Sequence, residues 1–156
     1  MESEKKKVTQ NEVNSWVTQL EPKVGIPVKR ISDNEWEVGL SHAAADYSAN
    51  VHLDPSTVSI SASLIPAVKL EEKSLPFVRE VLELNSQLKR PGAIGIRGDV
   101  YEYKKIHPTK GMTQFDLYSS LADFNETHEA VYRKMLELVD KHDARFVTES
   151  QKRLQR

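Results

Sequence analysis

The stretch Ser74–Ile106, SLPFVREVLELNSQLKRPGAIGIRGDVYEYKKI, decides the fold, because the hydrophobic period changes within it between two turn signals. Val78, Val81, Leu82, Asn85 and Leu88 fall on one side of a helix, and Leu75, Phe77 and Leu84 widen the stripe. Ser74 suits the N-cap, and Pro76 sits in the first turn, where its missing N–H is of little consequence. Pro91-Gly92 ends the helix. Ala93–Ile96 then reads as a strand, Gly98-Asp99 as a two-residue turn in which Gly accepts positive φ, and Val100–Ile106 as the returning strand. A single helix of this length is marginal in water, so it must dock on a sheet to persist. Asn85 interrupts the apolar stripe near the helix end and is expected to bond backbone there rather than a ligand.

Upstream, Val8-Thr9-Gln10-Asn11-Glu12-Val13 carries a capping box flanked by a hydrophobic staple. Val13, Trp16, Val17 and Leu20 continue it as one apolar stripe, which Pro22 and Gly25 end. Trp16 reads as a core anchor, with partner binding as the alternative. From Ile26 to Ile65 the period is two. Val28–Ile31 turns through Ser32-Asp33-Asn34 into Trp36, Val38 and Leu40. Tyr47, Ala49, Val51 and Leu53 follow, then an Asp54-Pro55-Ser56 turn, then Val58, Ile60, Ala62 and Leu64. Ser48, Asn50, His52, Ser59, Ser61 and Ser63 lie between the apolar positions, so the meander has one wet face and one that a helix must cover.

Downstream, Pro108–Gly111 turns, and the alternation of Phe115, Leu117 and Leu121 predicts a further strand over Met112–Leu121. Asn125 or Thr127 is expected to open the last helix, with Val131, Met135, Leu138, His142 and Phe146 as its stripe. The resulting class is α+β, antiparallel meanders with three helices in the order α-β-β-β-β-α-β-β-β-α. Residues 1–8 are expected to be a disordered leader, 9–146 one domain, and 147–156 a helical extension or frayed tail.

The 156 residues suit one domain, and a net charge of -1 gives no bulk attraction to nucleic acid or anionic membrane. The absence of cysteine excludes disulfides, thiolate catalysis and every cysteine zinc site. No apolar run follows the lysines of the start, and none approaches a membrane span, so a cytoplasmic location is expected. His42, His52, His107, His128 and His142 stand in no metal spacing, and His142 reads as a core or interface histidine. Gly92, Gly95 and Gly98 superficially scan as a phosphate loop. The helix precedes the strands here, however, which is the reverse of a dinucleotide fingerprint. The carboxylates fall mainly on solvated faces and in turns, without a pair of separated pKa values. Neither a catalytic constellation nor a cofactor or metal site is therefore expected.

The residues Leu82, Leu84, Asn85 and Leu88 are followed by Gly92-Ala93-Ile94-Gly95-Ile96, the Arg97-Gly98-Asp99 turn, Val100-Tyr101-Glu102-Tyr103 and a helix closing near Leu138-Val139-Asp140. This run resembles the YbjN-like family within the type III secretion chaperone-like fold, over residues 74–142. The first half departs from it by having four strands rather than three, and Lys105–Gln114 reads as an extra turn or an elongated hairpin. The resemblance implies a homodimer that binds a protein client without chemistry, in bacterial regulation or a stress response. Expected partner-binding residues are Trp16, Trp36, Tyr101, Tyr103, Lys104 and Lys105. Two alternatives stand beside this. Tyr101 and Tyr103 among Lys104 and Lys105 could stack single-stranded nucleic acid. Asn85, His52 and Tyr47 could line a small-ligand pocket between the sheet and the central helix.

Overall fold

Thr9 opens the first helix, α1 (Gln10–Thr18), as its neighbours require. In the computed structural model, which describes residues 7–66, 75–88 and 92–142, its hydroxyl accepts the Glu12 N–H at 3.2 Å, and the Glu12 carboxylate accepts the Thr9 N–H at 3.3 Å. Val13 and Val17 are buried below. The helical path breaks at Gln19 because Pro22 has no N–H for the Thr18 carbonyl. It resumes as α2 (Leu20–Val24), which Gly25 terminates at φ 72.

The sheet follows from the period-two pattern: β1 (Val28–Ser32), β2 (Glu35–His42), β3 (Ala45–Leu53) and β4 (Thr57–Pro66) form the expected meander. After α3 (Leu75–Ser86), β5 (Gly92–Arg97) and β6 (Val100–Pro108) form the hairpin, and the order across the sheet is β1-β2-β3-β4-β6-β5, antiparallel throughout. Arg97 pairs with Val100, so Gly98-Asp99 is the two-residue turn, with Gly98 at φ 60. Gly92 serves a different need. A Cβ there would lie 2.4 Å from the Tyr103 hydroxyl, so only glycine admits the ring.

One face of the sheet carries Trp36, Val38, Ala49, Val51, Val58, Ile60, Tyr101 and Tyr103, all buried beneath helices. α4 (Gln114–His142) crosses it over β4, β2 and β6, and α3 packs beside β5 and against α4. On the other face Ser59 and Ser61 are buried too, because the longer side chains of the adjoining strands shield them: His52 and Ile106 pair with Ser59, and Asn50 and Lys104 with Ser61.

The strand expected over Met112–Leu121 is a helix instead. Thr113 and Asp116 make a second capping pair, Asp116 N–H to Thr113 Oγ1 at 3.2 Å and Thr113 N–H to Asp116 Oδ2 at 2.9 Å. α4 therefore starts at Gln114 and runs 29 residues without a break, with Asn125 and Thr127 in its middle. Leu117, Leu121, Phe124, His128, Val131 and Met135 are its buried stripe at helical spacing, and Phe115, which completed the apparent alternation, is 76% exposed. The order is thus α-β-β-β-β-α-β-β-α, α1 and α2 counting as one helical unit. Thr113→Ala is expected to lower stability by about 1 kcal/mol, measured by urea denaturation; no change would mean that the box does not hold the helix start.

Within the expected leader, Lys7 bridges Lys110 and Val8 packs partly on the core. The Ser74 cap, the Pro91 stop, Phe146 and the tail 147–156 lie outside the described residues. No helix among the described residues is long and apolar enough to cross a membrane.

Candidate functional site

Two regions combine exposure or buried polarity with defined geometry. The first lies where the β2–β3 hairpin tip meets α4. The turn after His42 directs the N–H groups of Ala44 and Ala45 at His42 Nδ1, each at 3.1 Å, so that nitrogen is an acceptor and Nε2 carries the proton. His42 Nε2–H accordingly donates to His128 Nδ1 at 2.8 Å, and His128 Nε2–H donates to the Ser63 carbonyl at 3.0 Å. This one assignment of tautomers satisfies every group in the chain.

His128 is buried and lies parallel to Tyr47 at 3.8 Å and to Tyr132 at 6.0 Å. Burial pushes the His128 pKa down, His42 lowers it further, and the Ser63 carbonyl offsets only part of this. Burial likewise raises the Tyr47 hydroxyl. That hydroxyl donates to Asn125 Oδ1 at 2.8 Å, and Asn125 Nδ2 donates to the Ser41 carbonyl at 3.0 Å.

A metal does not fit between these rings. Two nitrogens on one tetrahedral zinc stand roughly 3.3 Å apart at the usual bond lengths, farther than the 2.8 Å seen here. Among the described residues no group of three or more histidine or carboxylate side chains could hold a metal ion.

Beside the rings runs an open groove of about 640 Å³, lined by Tyr47, Asn125, Ser41, Asp46, Leu40 and Pro27 among others. It exists because β1 begins only at Val28, opposite Val38, so that Leu40, Ser41 and His42 of β2 pair with β3 but have no partner on the β1 side. Ser41 Oγ bonds Asp46 at 2.6 Å, so the polar groups of the groove largely satisfy one another.

The second region is the α3–β5 end. Asn85 Oδ1 accepts the Ile94 N–H at 2.9 Å, and Asn85 Nδ2 donates to the Ile94 carbonyl at 3.3 Å, the backbone role expected of it. β5 is an edge strand, and this one amide stands in for a neighbouring strand at its centre. Outside it, Leu75 and Leu82 are each 63% exposed two turns apart on α3, and Ile96 of β5 is 61% exposed. The opposite edge is blunted by Pro27, by Lys29 and Arg30, and by a register shift between Arg30 and Ser32. Glu80 clasps α3 to α4 through Lys141 and His142, whose hydrogen bonds hold its carboxyl below the usual range. His142 also stands edge-on to Phe77 at 6.2 Å, in keeping with its reading as a core or interface histidine.

The residues expected to bind partners are mostly inside. Trp36, Tyr101 and Tyr103 are buried under the helices, and Lys105 is buried beside Asp123 at 3.8 Å, because α1, α3 and α4 together cover the face that carries all four: Asn14 of α1 meets Trp36, Phe77 of α3 meets Tyr101, and α4 brings Phe124 to Tyr103 and Asp123 to Lys105. This corrects both the partner-binding and the base-stacking expectations for them: a buried ring offers no platform. Lys104 is exposed on the other face, and Trp16 is half-buried, its carbonyl accepting the Tyr118 hydroxyl at 2.7 Å.

Nor do the three polar groups expected of a small-ligand pocket converge. Tyr47 lines the groove, Asn85 caps β5, and His52 lies on the wet face against Asp54 at 3.0 Å. The meeting of His42, His128 and Asn125 is not foreshadowed in the sequence: a helix opening at Asn125 or Thr127 leaves His128 in its first turn, whereas the start at Gln114 puts His128 four residues after Phe124 on the buried stripe. No protein-family model matches the chain, and a search of curated proteins finds no match.

Proposed function

We propose that the protein is a non-enzymatic, homodimeric, chaperone-like adaptor that engages a protein partner at its α3–β5 end. The observation that carries this reading is the exposure of Leu75 and Leu82 on α3 and of Ile96 on the neighbouring edge strand, with the Arg79–Glu83 ion pair exposed on the same helix. Large apolar side chains exposed on adjoining elements favour association, because covering them removes apolar surface from water. The setting, bacterial regulation or a stress response, is taken from the resemblance of residues 74–142 to the YbjN-like family.

Leu82→Asp is expected to convert a dimer to a monomer in light scattering and sedimentation, and to abolish capture of a partner. Its unfolding free energy should stay within about 0.5 kcal/mol of the parent, as for an exposed substitution. A parent protein that is monomeric at high concentration and captures no partner would overturn the proposal.

A further inference from the structure

We propose that the His42–His128 hydrogen bond is an acid-released clasp, holding the β2–β3 hairpin tip on α4 while both rings are neutral and letting it go when His128 takes a proton. The geometry admits no compensation. A proton on His128 Nδ1 would face the Nε2–H of His42 across 2.8 Å. His42 could answer only by accepting at Nε2, which would move its own proton to Nδ1, against the N–H groups of Ala44 and Ala45 at 3.1 Å.

Among the described residues, the groups in ring or hydrogen-bond contact with the two imidazoles are uncharged. β3 contributes Tyr47, α4 contributes Phe124, Asn125 and Tyr132, and β4 contributes the Ser63 carbonyl. The carboxylates adjoining in sequence are engaged elsewhere, Asp46 by Ser41 and Glu129 by Arg133. Among the described residues no carboxylate is hydrogen-bonded or ion-paired to either ring, so an imidazolium there would have no counter-charge. The hairpin also carries Ser41 and Tyr47, which meet Asn125 across the groove, so releasing the tip opens that groove.

The direction with pH follows from linkage. A histidine held neutral by the fold binds its proton first in the unfolded chain, so the stabilisation is fully present above the ordinary histidine pKa of about 6.5 and is lost as pH falls below it. The unfolding constant should rise up to about tenfold per pH unit for each proton the fold excludes.

Urea unfolding of the whole chain at pH 7.5, 6.5 and 5.5 tests this, with His128→Phe to keep the stacking on Tyr47 and His52→Gln as a control on the opposite face. The parent and His52→Gln should share the steep loss below pH 6.5, and His128→Phe should lose that component. Parallel curves for all three would overturn the proposal. Should His128→Phe not fold, nitrogen-15 NMR of the parent decides. The expected result is the Nε2–H tautomer persisting below pH 6, with faster amide exchange at Ala44 and Ala45 once the ring titrates. Titration of His128 at or above the ordinary value, or unchanged amide protection after it titrates, would equally overturn the clasp.

Discussion

Trp36→Ala is expected to destabilise the protein by about 3–5 kcal/mol, a large part of the 5–15 kcal/mol typical of a domain. The ring is fully buried on β2, beneath α1, and its Nε1–H donates to Asn14 Oδ1 at 2.9 Å. The Arg30 guanidinium of the neighbouring strand lies 5.7 Å from the ring centroid, at the position that pairs with Trp36 across β1 and β2. Truncation therefore opens a cavity, orphans the Asn14 amide and removes a cation–π contact at once. Trp36→Phe separates these effects: it keeps most of the packing and loses the hydrogen bond, worth about 1 kcal/mol. Urea denaturation measures both, and a loss below about 1 kcal/mol for Trp36→Ala would show that α1 is not part of the cooperative core.

The second large effect is expected at Asn85, where alanine should cost about 2 kcal/mol, the penalty for leaving partly buried backbone groups unpaired. Asn85 satisfies both the N–H and the carbonyl of Ile94 through the two ends of one amide, a pairing alanine cannot make. Asn85→Asp keeps the acceptor but sets a carboxylate oxygen against the Ile94 carbonyl, so it should rescue little. With the amide gone, the middle of β5 becomes an unpaired strand edge, and self-association by strand pairing should increase. Hydrogen exchange at the Ile94 amide gives the direct reading: it should pass from protected to fast. Continued protection in Asn85→Ala would show that the side chain is not what holds this edge.

Several features behind these effects could be read before any fold was known. The Thr9–Glu12 box, the alternating strands from Val28 to Leu64, the Gly98-Asp99 turn and the backbone role of Asn85 all depend on residues within a few positions of one another, or on a polar group placed where a helix ends. The start of α4 misled for a related reason. Leu117 and Leu121 are consistent with both a strand and a helix, and exposed Phe115 tipped a short window towards the strand. Only the continuation through Phe124, His128, Val131 and Met135 separates a period of 3.6 from one of two.

Alternation alone says that Tyr101, Tyr103 and Lys105 share one face of β6, and Glu102 and Lys104 the other. It does not say which face a helix covers. α3 and α4 decide that, Phe77 packing on Tyr101, Phe124 on Tyr103, and Asp123 reaching Lys105, and with them goes the aromatic surface a nucleic acid would have needed. The clasp is further still from local inspection, since His42 and His128 are 86 positions apart. By itself the sequence determined where helices and strands arise, because caps, turns and periodicity act over one or two turns of chain. Tertiary structure alone decided which polar groups meet, because the approach of His42 to His128 depends on the sheet order and on the line along which α4 crosses it.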